Sequence, residues 1–262
     1  PASEYITSDL VINNKAPFGI YYQDTMASKL SKGAGITAVA AIIEHNTSGI
    51  ISPKKNNITD PKALEGKKYG TWNDPVELAM IKSLVEKQGG DYNKIELVPN
   101  SDSNSITPLE NGVFDAAWIY YAWDGKLAES MNLETNFFYL RDFDKKLDYY
   151  SPVIIANNDY LKNNKEEAQK VLRAIKKGYV YAIEHPEEAA DILIKNAPEL
   201  KEKRDFVVAS QKYISQQYAS NKEHWGEFDA ERWNAFYRWV NENKIIEKPL
   251  ADNTGFSNDY IK

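Results

Sequence analysis

A run of aromatic residues that ends in a carboxylate, residues 118–124, lies at the C-terminal end of the most strand-like segment of the chain, residues 113–121. It contains Trp118, Tyr121, Trp123 and Asp124. Indole and phenol rings have a flat apolar face and a polar edge, so they stack on planar ligands. A neighbouring carboxylate pairs with ring nitrogens and amino groups, which are costly to bury unpaired. We therefore predict that these four residues bind a small planar ligand; the alternative for Asp124 is helix capping.

A second candidate site lies at residues 71–75, between a predicted strand and a predicted helix. Trp72 offers a ring for stacking, and Asn73 offers an amide for hydrogen bonds. Free backbone N–H groups at the start of the helix also attract acceptors. The alternative is that Asn73 or Asp74 only caps the helix. Glu77, further along the same helix, is a weaker candidate.

Residues that follow the first two predicted strands are further candidates. Tyr21, Tyr22 and Gln23 come at the end of the first strand, where α/β folds place their ligands. His45 and Asn46 come just after the second predicted strand, residues 36–43. A single histidine is more often a structural residue, so His45 has a structural alternative.

The elements that must position these residues alternate between short apolar runs and amphipathic stretches, which is typical of an α/β chain. The predicted strands are residues 18–22, 36–43, 66–71, 95–98, 113–121 and 148–155. The predicted helices are residues 9–12, 24–32, 75–87, 105–111, 165–183, 186–195, 206–219 and 230–243. Helical spacing at 233, 236, 237 and 240 predicts a packed core rather than a ligand site for the aromatic cluster Trp225, Trp233, Phe236, Tyr237 and Trp239.

Composition excludes several classes of protein. The formal charge of −6, from 32 Lys+Arg and 38 Asp+Glu, argues against a nucleic-acid binder. The absence of cysteine removes disulfides, thiolate metal sites and cysteine nucleophiles. Apolar runs fall short of the roughly 20 residues that a membrane span needs. We predict no catalytic residues, no metal and no cofactor.

Five stretches carry a family resemblance by their order and spacing: residues 18–24, 41–49, 60–70, 113–121 and 149–155. Together they resemble the substrate-binding proteins of ABC transporters in the NMT1/THI5-like superfamily, especially the binders of thiamin pyrimidine precursors. The resemblance implies an α/β, two-lobed, periplasmic-binding-protein-like fold of type II, with the ligand in the inter-lobe cleft. Two crossover strands would lie near residues 46–51 and 151–155, so His45 and Asn46 would lie at the first crossover, where a ligand can touch both lobes. Residues 1–46 and 153–262 would then form lobe 1, and residues 47–152 the inserted lobe 2.

The same resemblance implies a function. The chain would be the extracytoplasmic solute-binding component of an ABC importer, and lobe closure would deliver a hydroxymethylpyrimidine or formylaminopyrimidine to a membrane permease. We expect a monomer without catalytic activity, anchored to the membrane through a lipidated N-terminus upstream of this chain. The opening βαβ segment that family members usually carry before the position of Pro1 is expected to be absent from this chain.

Other functions remain open from the sequence. Taurine, alkanesulfonate and riboflavin binders share the scaffold that the resemblance implies, although the scarcity of arginine favours a neutral ligand. Pyrimidine synthases of the same superfamily use a cysteine-rich iron motif, which a chain without cysteine cannot form. A carbohydrate-active enzyme would need a pair of carboxylates at a defined separation, and an interaction module would need an exposed aromatic patch.

Overall fold

Residues 6–100 and 104–261 are described by a computed structural model, and they form eight strands and eleven α-helices. In chain order the strands are β1 (Phe18–Tyr21), β2 (Ile36–Ala41), β3 (Ser48–Pro53), β4 (Lys68–Thr71), β5 (Glu96–Pro99), β6 (Ala116–Tyr120), β7 (Thr135–Tyr139) and β8 (Val153–Asn157). The helices are α1 (Thr7–Ile12), α2 (Gln23–Ser31), α3 (Pro75–Lys87), α4 (Ile106–Glu110), α5 (Lys126–Ser130), α6 (Leu140–Phe143), α7 (Asn158–Asn163), α8 (Lys165–Glu184), α9 (Pro186–Asn196), α10 (Arg204–Tyr218) and α11 (Ala230–Glu242).

The described chain divides into two compact units. Unit 1 comprises the described residues up to Asn46, Asp148–Ala189 and the residues from Ile214 onward. Unit 2 comprises the described residues of Thr47–Leu147 together with Ala190–Tyr213. The sequence-based division instead ran lobe 2 to residue 152 and left residues 190–213 in lobe 1. Apolar packing explains the difference, because Ala190 and Phe206 form one buried cluster with Leu127 of unit 2.

Unit 1 is built on a three-stranded sheet in the order β1-β8-β2, with both pairings antiparallel. The central strand β8 is buried along its whole length, as its β-branched residues favour. Helix α11 buries Trp233, Phe236, Tyr237 and Trp239, so the prediction that this cluster packs in the core is confirmed, and Trp225 is equally buried.

The predicted strand 148–155 is wrong in its first half. Strand β8 starts only at Val153, because Pro152 has no N–H to donate to a strand ladder. The preceding Tyr149 and Tyr150 are buried against aromatic rings, with Tyr149 stacked 4.3 Å from Phe236. Residues 148–152 therefore pack as an irregular segment within unit 1.

Unit 2 is built on a five-stranded sheet in the order β5-β4-β6-β3-β7. Strand β4 runs parallel to both β5 and β6, whereas β3 pairs antiparallel with β6 and β7. Strand β7 was not predicted from the sequence, and its side chains are mostly half-buried, so its apolar pattern is weak. Because β4 and β6 are parallel neighbours, the segments that follow them leave the sheet at the same edge.

Candidate functional site

Trp72 and Trp118 form the aromatic pair of the candidate site: Trp72 directly follows β4, and Trp118 lies in the middle of the neighbouring strand β6. Their ring centroids lie 6.0 Å apart, with the ring planes at 44°. Trp72 is 45% exposed, whereas Trp118 is 3% exposed and its indole Nε1 has no hydrogen-bond partner. A buried N–H without an acceptor is costly, so a bound acceptor atom would stabilise this arrangement.

The loop that carries Trp72 is held by α3 and its first turn. Asp74 caps the helix, since its carboxylate accepts from the backbone N–H of Val76 at 2.8 Å and of Glu77 at 3.2 Å. The capping alternative therefore applies to Asp74 and leaves Asn73 free of that role. Asn73 is exposed with φ of 62°, and its N–H donates to Thr71 Oγ1 at 2.8 Å.

Asp124 lies in a π-helical turn, Tyr121–Gly125, between β6 and α5. It makes no side-chain cap, because the N-cap position of α5 is Gly125 and carries no side-chain hydrogen bond. Burial raises the pKa of Asp124 to about 6, against the opposing effect of backbone hydrogen bonds at Tyr120 and Asp124 itself. π-helical turns occur frequently at functional sites, and a carboxyl group whose pKa is raised by burial is a candidate functional group.

Trp123 and Tyr121 pack on helices of unit 2. Trp123 is 42% exposed and meets Phe206 of α10 edge-on at 4.7 Å. Tyr121 donates its hydroxyl to Glu129 at 2.7 Å, and its ring lies 4.6 Å from Phe137 and 5.2 Å from Tyr213. The structure therefore brings Trp72, Asn73 and Trp118 to one edge of the sheet, while Tyr121 turns toward an aromatic cluster of its own.

The candidate residues in unit 1 differ in how far their side chains are exposed to solvent. Tyr22 is exposed at the start of α2, and Tyr21 is half-buried with its ring 6.0 Å from that of Tyr22. Gln23 is fully buried: its Nε2 donates to Trp233 O at 3.0 Å and its Oε1 accepts from Tyr150 N at 2.8 Å. Both ends of the Gln23 amide are thus committed to the core of unit 1.

His45 and Asn46 join a charged network in unit 1. The Asp148 carboxylate lies 2.6 Å from His45 Nδ1 and accepts from Asn46 N at 2.9 Å, and Arg232 Nη1 lies 2.6 Å from the same His45 nitrogen. One ring nitrogen donates to the carboxylate or accepts from the guanidinium, so only one contact is a hydrogen bond at a time. Burial acts to raise the pKa of Asp148, but His45, Asn46 and Arg232 outweigh it and lower that pKa.

Arg232 also covers the Tyr150 ring, with its guanidinium carbon 4.2 Å from the ring centre. Both residues line a cavity of about 270 Å³ within unit 1, beside Asp229 and Glu44. Sequence reasoning missed Asp148, Tyr150 and Arg232, because Arg232 is 187 positions from His45 and no local pattern joins them.

Metal-ligating clusters and membrane-spanning helices are two further features that would bear on function. No three histidine, aspartate or glutamate side chains in residues 6–100 and 104–261 lie close enough together to hold a metal ion. Among the described helices, none is both long enough and apolar enough to cross a membrane.

The two compact units, each built on one sheet, have an α/β fold like that of the periplasmic binding proteins, so the predicted fold class is confirmed. The chain belongs to the NMT1/THI5-like family, whose model matches residues 1–189. The family resemblance inferred from the sequence is confirmed as well.

Three known proteins illustrate what the chain is similar to. The formylaminopyrimidine-binding protein of Halalkalibacterium halodurans is 22% identical over 250 residues, which cover 95% of this chain and 76% of that protein. The alkanesulfonate-binding protein SsuA from Xanthomonas axonopodis pv. citri, bound to MOPS, has a TM-score of 0.71 at 12% identity, over 95% of this chain and 83% of that one.

The third is the desulfurization enzyme DSZB. A single-residue mutant of that enzyme in complex with biphenyl-2-sulfinic acid has a TM-score of 0.67 at 12% identity, over 96% of this chain and 86% of that one. At such identities the two structural likenesses show a shared fold alone. The fold is thus used both by binding proteins and by an enzyme.

Proposed function

We propose that this chain is the extracytoplasmic solute-binding component of an ABC importer. It binds a small heteroaromatic solute, a thiamin pyrimidine precursor of the hydroxymethylpyrimidine or formylaminopyrimidine type, and its partner is a membrane permease. Membership of the NMT1/THI5-like family and the similarity to a formylaminopyrimidine-binding protein support this function. The chain acts as a binding protein and leaves the solute chemically unchanged.

The Trp72–Trp118 pair is the observation that carries the proposal. The exposed ring of Trp72 offers a face on which a pyrimidine stacks. The unpaired indole N–H of Trp118 offers a donor to an acceptor on the solute, such as a ring nitrogen or a formyl oxygen. Such a donor favours rings that carry an acceptor over hydrocarbon rings of the same shape.

Asp124 supplies the complementary group in this proposal. Its carboxylate is half-buried and makes no helix cap, so it is available to accept from an exocyclic amino group. Asn73 and Trp123 are proposed to complete the contacts on unit 2, whereas Tyr121, which packs in the cluster away from Trp118, stays a prediction from the sequence. The candidates on unit 1, which are Tyr21, Tyr22, Gln23, His45 and Asn46, stay a prediction from the sequence.

A sulfonate is the second candidate ligand, because SsuA has the same fold. Sulfonates are held by cationic side chains and N–H donors. Residues 71–79 contain Asp74 and Glu77 and neither lysine nor arginine. The charge of this segment therefore favours a neutral pyrimidine over a sulfonate anion.

A thermal-shift panel tests the choice of ligand. The chain is heated with hydroxymethylpyrimidine, its formylaminomethyl analogue, thiamin, riboflavin, taurine or a short sugar. A ligand present at about 100 times its dissociation constant stabilises the folded state by about 2.7 kcal/mol, which gives a clear shift. We expect the shift with the two pyrimidines alone; a shift with taurine alone would instead identify a sulfonate binder.

Calorimetric titration of variants tests the site. Trp72→Ala removes the stacking face, and Trp118→Phe removes the indole donor while keeping an aromatic ring. We expect each to weaken pyrimidine binding about fivefold or more, because a ring contact or a buried hydrogen bond contributes about 1 kcal/mol or more. Tyr181→Ala, which truncates an exposed ring on α8, is the control and should bind as the wild type does. Unchanged affinity in both tryptophan variants would place the solute elsewhere.

A further inference from the structure

The buried carboxylate of Glu77, in the first turns of α3, is 4% exposed. It accepts the hydroxyl of Tyr69 at 2.8 Å, the hydroxyl of Thr71 at 2.9 Å and the backbone N–H of Trp72 at 3.1 Å. A fourth contact, with the N–H of Asp74, is the longest at 3.4 Å. One side chain thus joins the end of β4, the Trp72 loop and the start of α3.

Helix capping accounts for only one of these four contacts. In a capping box the third residue of the helix returns a hydrogen bond to the N-cap residue, and Glu77 does so at Asp74 N. The bonds to Tyr69, Thr71 and Trp72 add nothing to the cap. They hold the segment that presents the Trp72 ring, so Glu77 does more than end the helix.

The loop turns sharply after β4, and hydrogen bonds from side chains hold its backbone there. Asn73 has φ of 62°, in the left-handed region that asparagine tolerates better than most residues with a side chain. Trp72 is exposed, and its backbone N–H is bonded to Glu77 rather than to a strand neighbour. Thr71 Oγ1 extends the same support, since it donates to Glu77 and accepts from Asn73 N.

We propose that Glu77 is a positioning residue for solute binding: its carboxylate fixes the Trp72 ring beside Trp118 and does not touch the solute. This inference rests on the proposed function, because it assigns a task to Glu77 in the same site. A fixed ring loses less conformational entropy when a ligand stacks on it, which raises affinity without adding a contact.

Glu77→Gln tests the role, because the amide keeps the size of the side chain and replaces one acceptor with a donor. The amide N–H₂ of the variant then faces the hydroxyl of Tyr69 or Thr71 or the backbone N–H of Trp72, and the hydrogen bonds that the carboxylate accepted there are lost. Glu86→Gln, on the exposed side of the same helix, is the matched control. Thr71→Val is the second loop variant, and it decides the question if Glu77→Gln does not fold.

Two measurements are made on each folded variant. Calorimetric titration with hydroxymethylpyrimidine and its formylaminomethyl analogue gives the affinity. Circular dichroism gives the couplet of the Trp72–Trp118 ring pair, which is the pair of bands of opposite sign that two coupled indole rings produce. We expect Glu77→Gln and Thr71→Val to weaken binding about tenfold and to reduce the couplet. Glu86→Gln should leave both unchanged.

The outcomes separate this inference from the proposed function. If Trp72→Ala loses affinity while Glu77→Gln and Thr71→Val bind as the wild type does, the positioning role is wrong and the site stands. If neither pyrimidine binds the wild type, the proposed ligand is wrong. The couplet then still decides whether Glu77 fixes the ring pair, and an unchanged couplet in both loop variants overturns the role.

Discussion

At the scale of single residues, the partners of a polar side chain decide whether it is available to a ligand. Gln23 and Asp124 both follow predicted strands, yet Gln23 uses both ends of its amide inside unit 1. Asp124 makes no helix cap, and burial raises its pKa to about 6. Their position at the end of a predicted strand makes both residues candidates for ligand binding. Only the hydrogen bonds in the structure show that Gln23 is a core residue and that Asp124 is available to a ligand.

The titration of Asp124 predicts how stability depends on pH. Its pKa is about 6 in the folded chain against an ordinary value of 3.8, so the folded state binds the proton more tightly. Stability should fall as the pH rises between those two values, because the buried carboxyl must ionise. Asp124→Asn removes this contribution, and urea unfolding of both proteins at pH 4, 5, 6 and 7 should show a flatter profile for the variant. Parallel profiles would mean that Asp124 titrates normally.

At the scale of elements, strand alternation decides which aromatic residues can act together. Trp118 and Ile119 lie on opposite faces of β6, and Ile119 belongs to the same buried cluster as Ala117. Tyr121 is two positions after Ile119 and packs against that cluster too, away from the face of Trp118. Successive side chains of a strand point to opposite faces, so the odd spacing between Trp118 and Tyr121 in the sequence already indicates that they lie on different faces.

Alanine substitutions at two glycines test how the elements pack, and we expect them to change the stability of the chain in opposite directions. A Cβ at Gly49, the second residue of β3, would meet the carbonyl oxygen of Phe138 and lie 2.5 Å from the Phe137 ring. Gly49→Ala should therefore destabilise the chain by about 1–3 kcal/mol through overpacking. Thermal and urea unfolding measure the change, and an unaltered midpoint would contradict the close pairing of β3 with β7.

Gly178→Ala is the matched substitution in a helix. Gly178 lies inside α8, and a Cβ there meets nothing within 4 Å. Alanine in an exposed helix interior should stabilise the chain by about 0.5–1 kcal/mol, because glycine loses more backbone entropy on folding. The same unfolding experiment should thus move the two variants in opposite directions.

At the scale of the whole molecule, the fold leaves open whether the chain binds or catalyses. The same architecture occurs in the alkanesulfonate-binding protein SsuA and in the desulfurization enzyme DSZB. This chain has no cysteine, which removes thiolate nucleophiles. The residues of the proposed site are aromatic rings, one unpaired indole N–H and a carboxylate, which suit recognition of a ligand.

A binding protein should return its ligand unchanged. The chain is incubated with hydroxymethylpyrimidine or its formylaminomethyl analogue at a tenfold excess of solute, and the solute is recovered after denaturation. We expect mass spectrometry to find only the original masses, with Trp72→Ala incubated in parallel as the control. A new mass that forms with the wild type and not with Trp72→Ala would indicate an enzyme.

The sequence by itself determined the local structure and the family. It predicted α3 at residues 75–87, where Asp74, Pro75 and the apolar face act within one or two turns. It also predicted the α/β class and the NMT1/THI5-like resemblance, since both depend on the order of elements along the chain. These signals lie in short segments and in their order along the chain, so they can be recognised without knowing how the strands pair.

Only the tertiary structure decided which of the candidate residues meet. The parallel pairing of β4 with β6 brings Trp72 to Trp118, 46 positions away, and the turn from β4 into α3 returns Glu77 to Tyr69 and Thr71. The Asp148 network joins residues 187 positions apart. These contacts depend on strand register and on which face each side chain occupies, and such long-range geometry leaves no local pattern in the sequence.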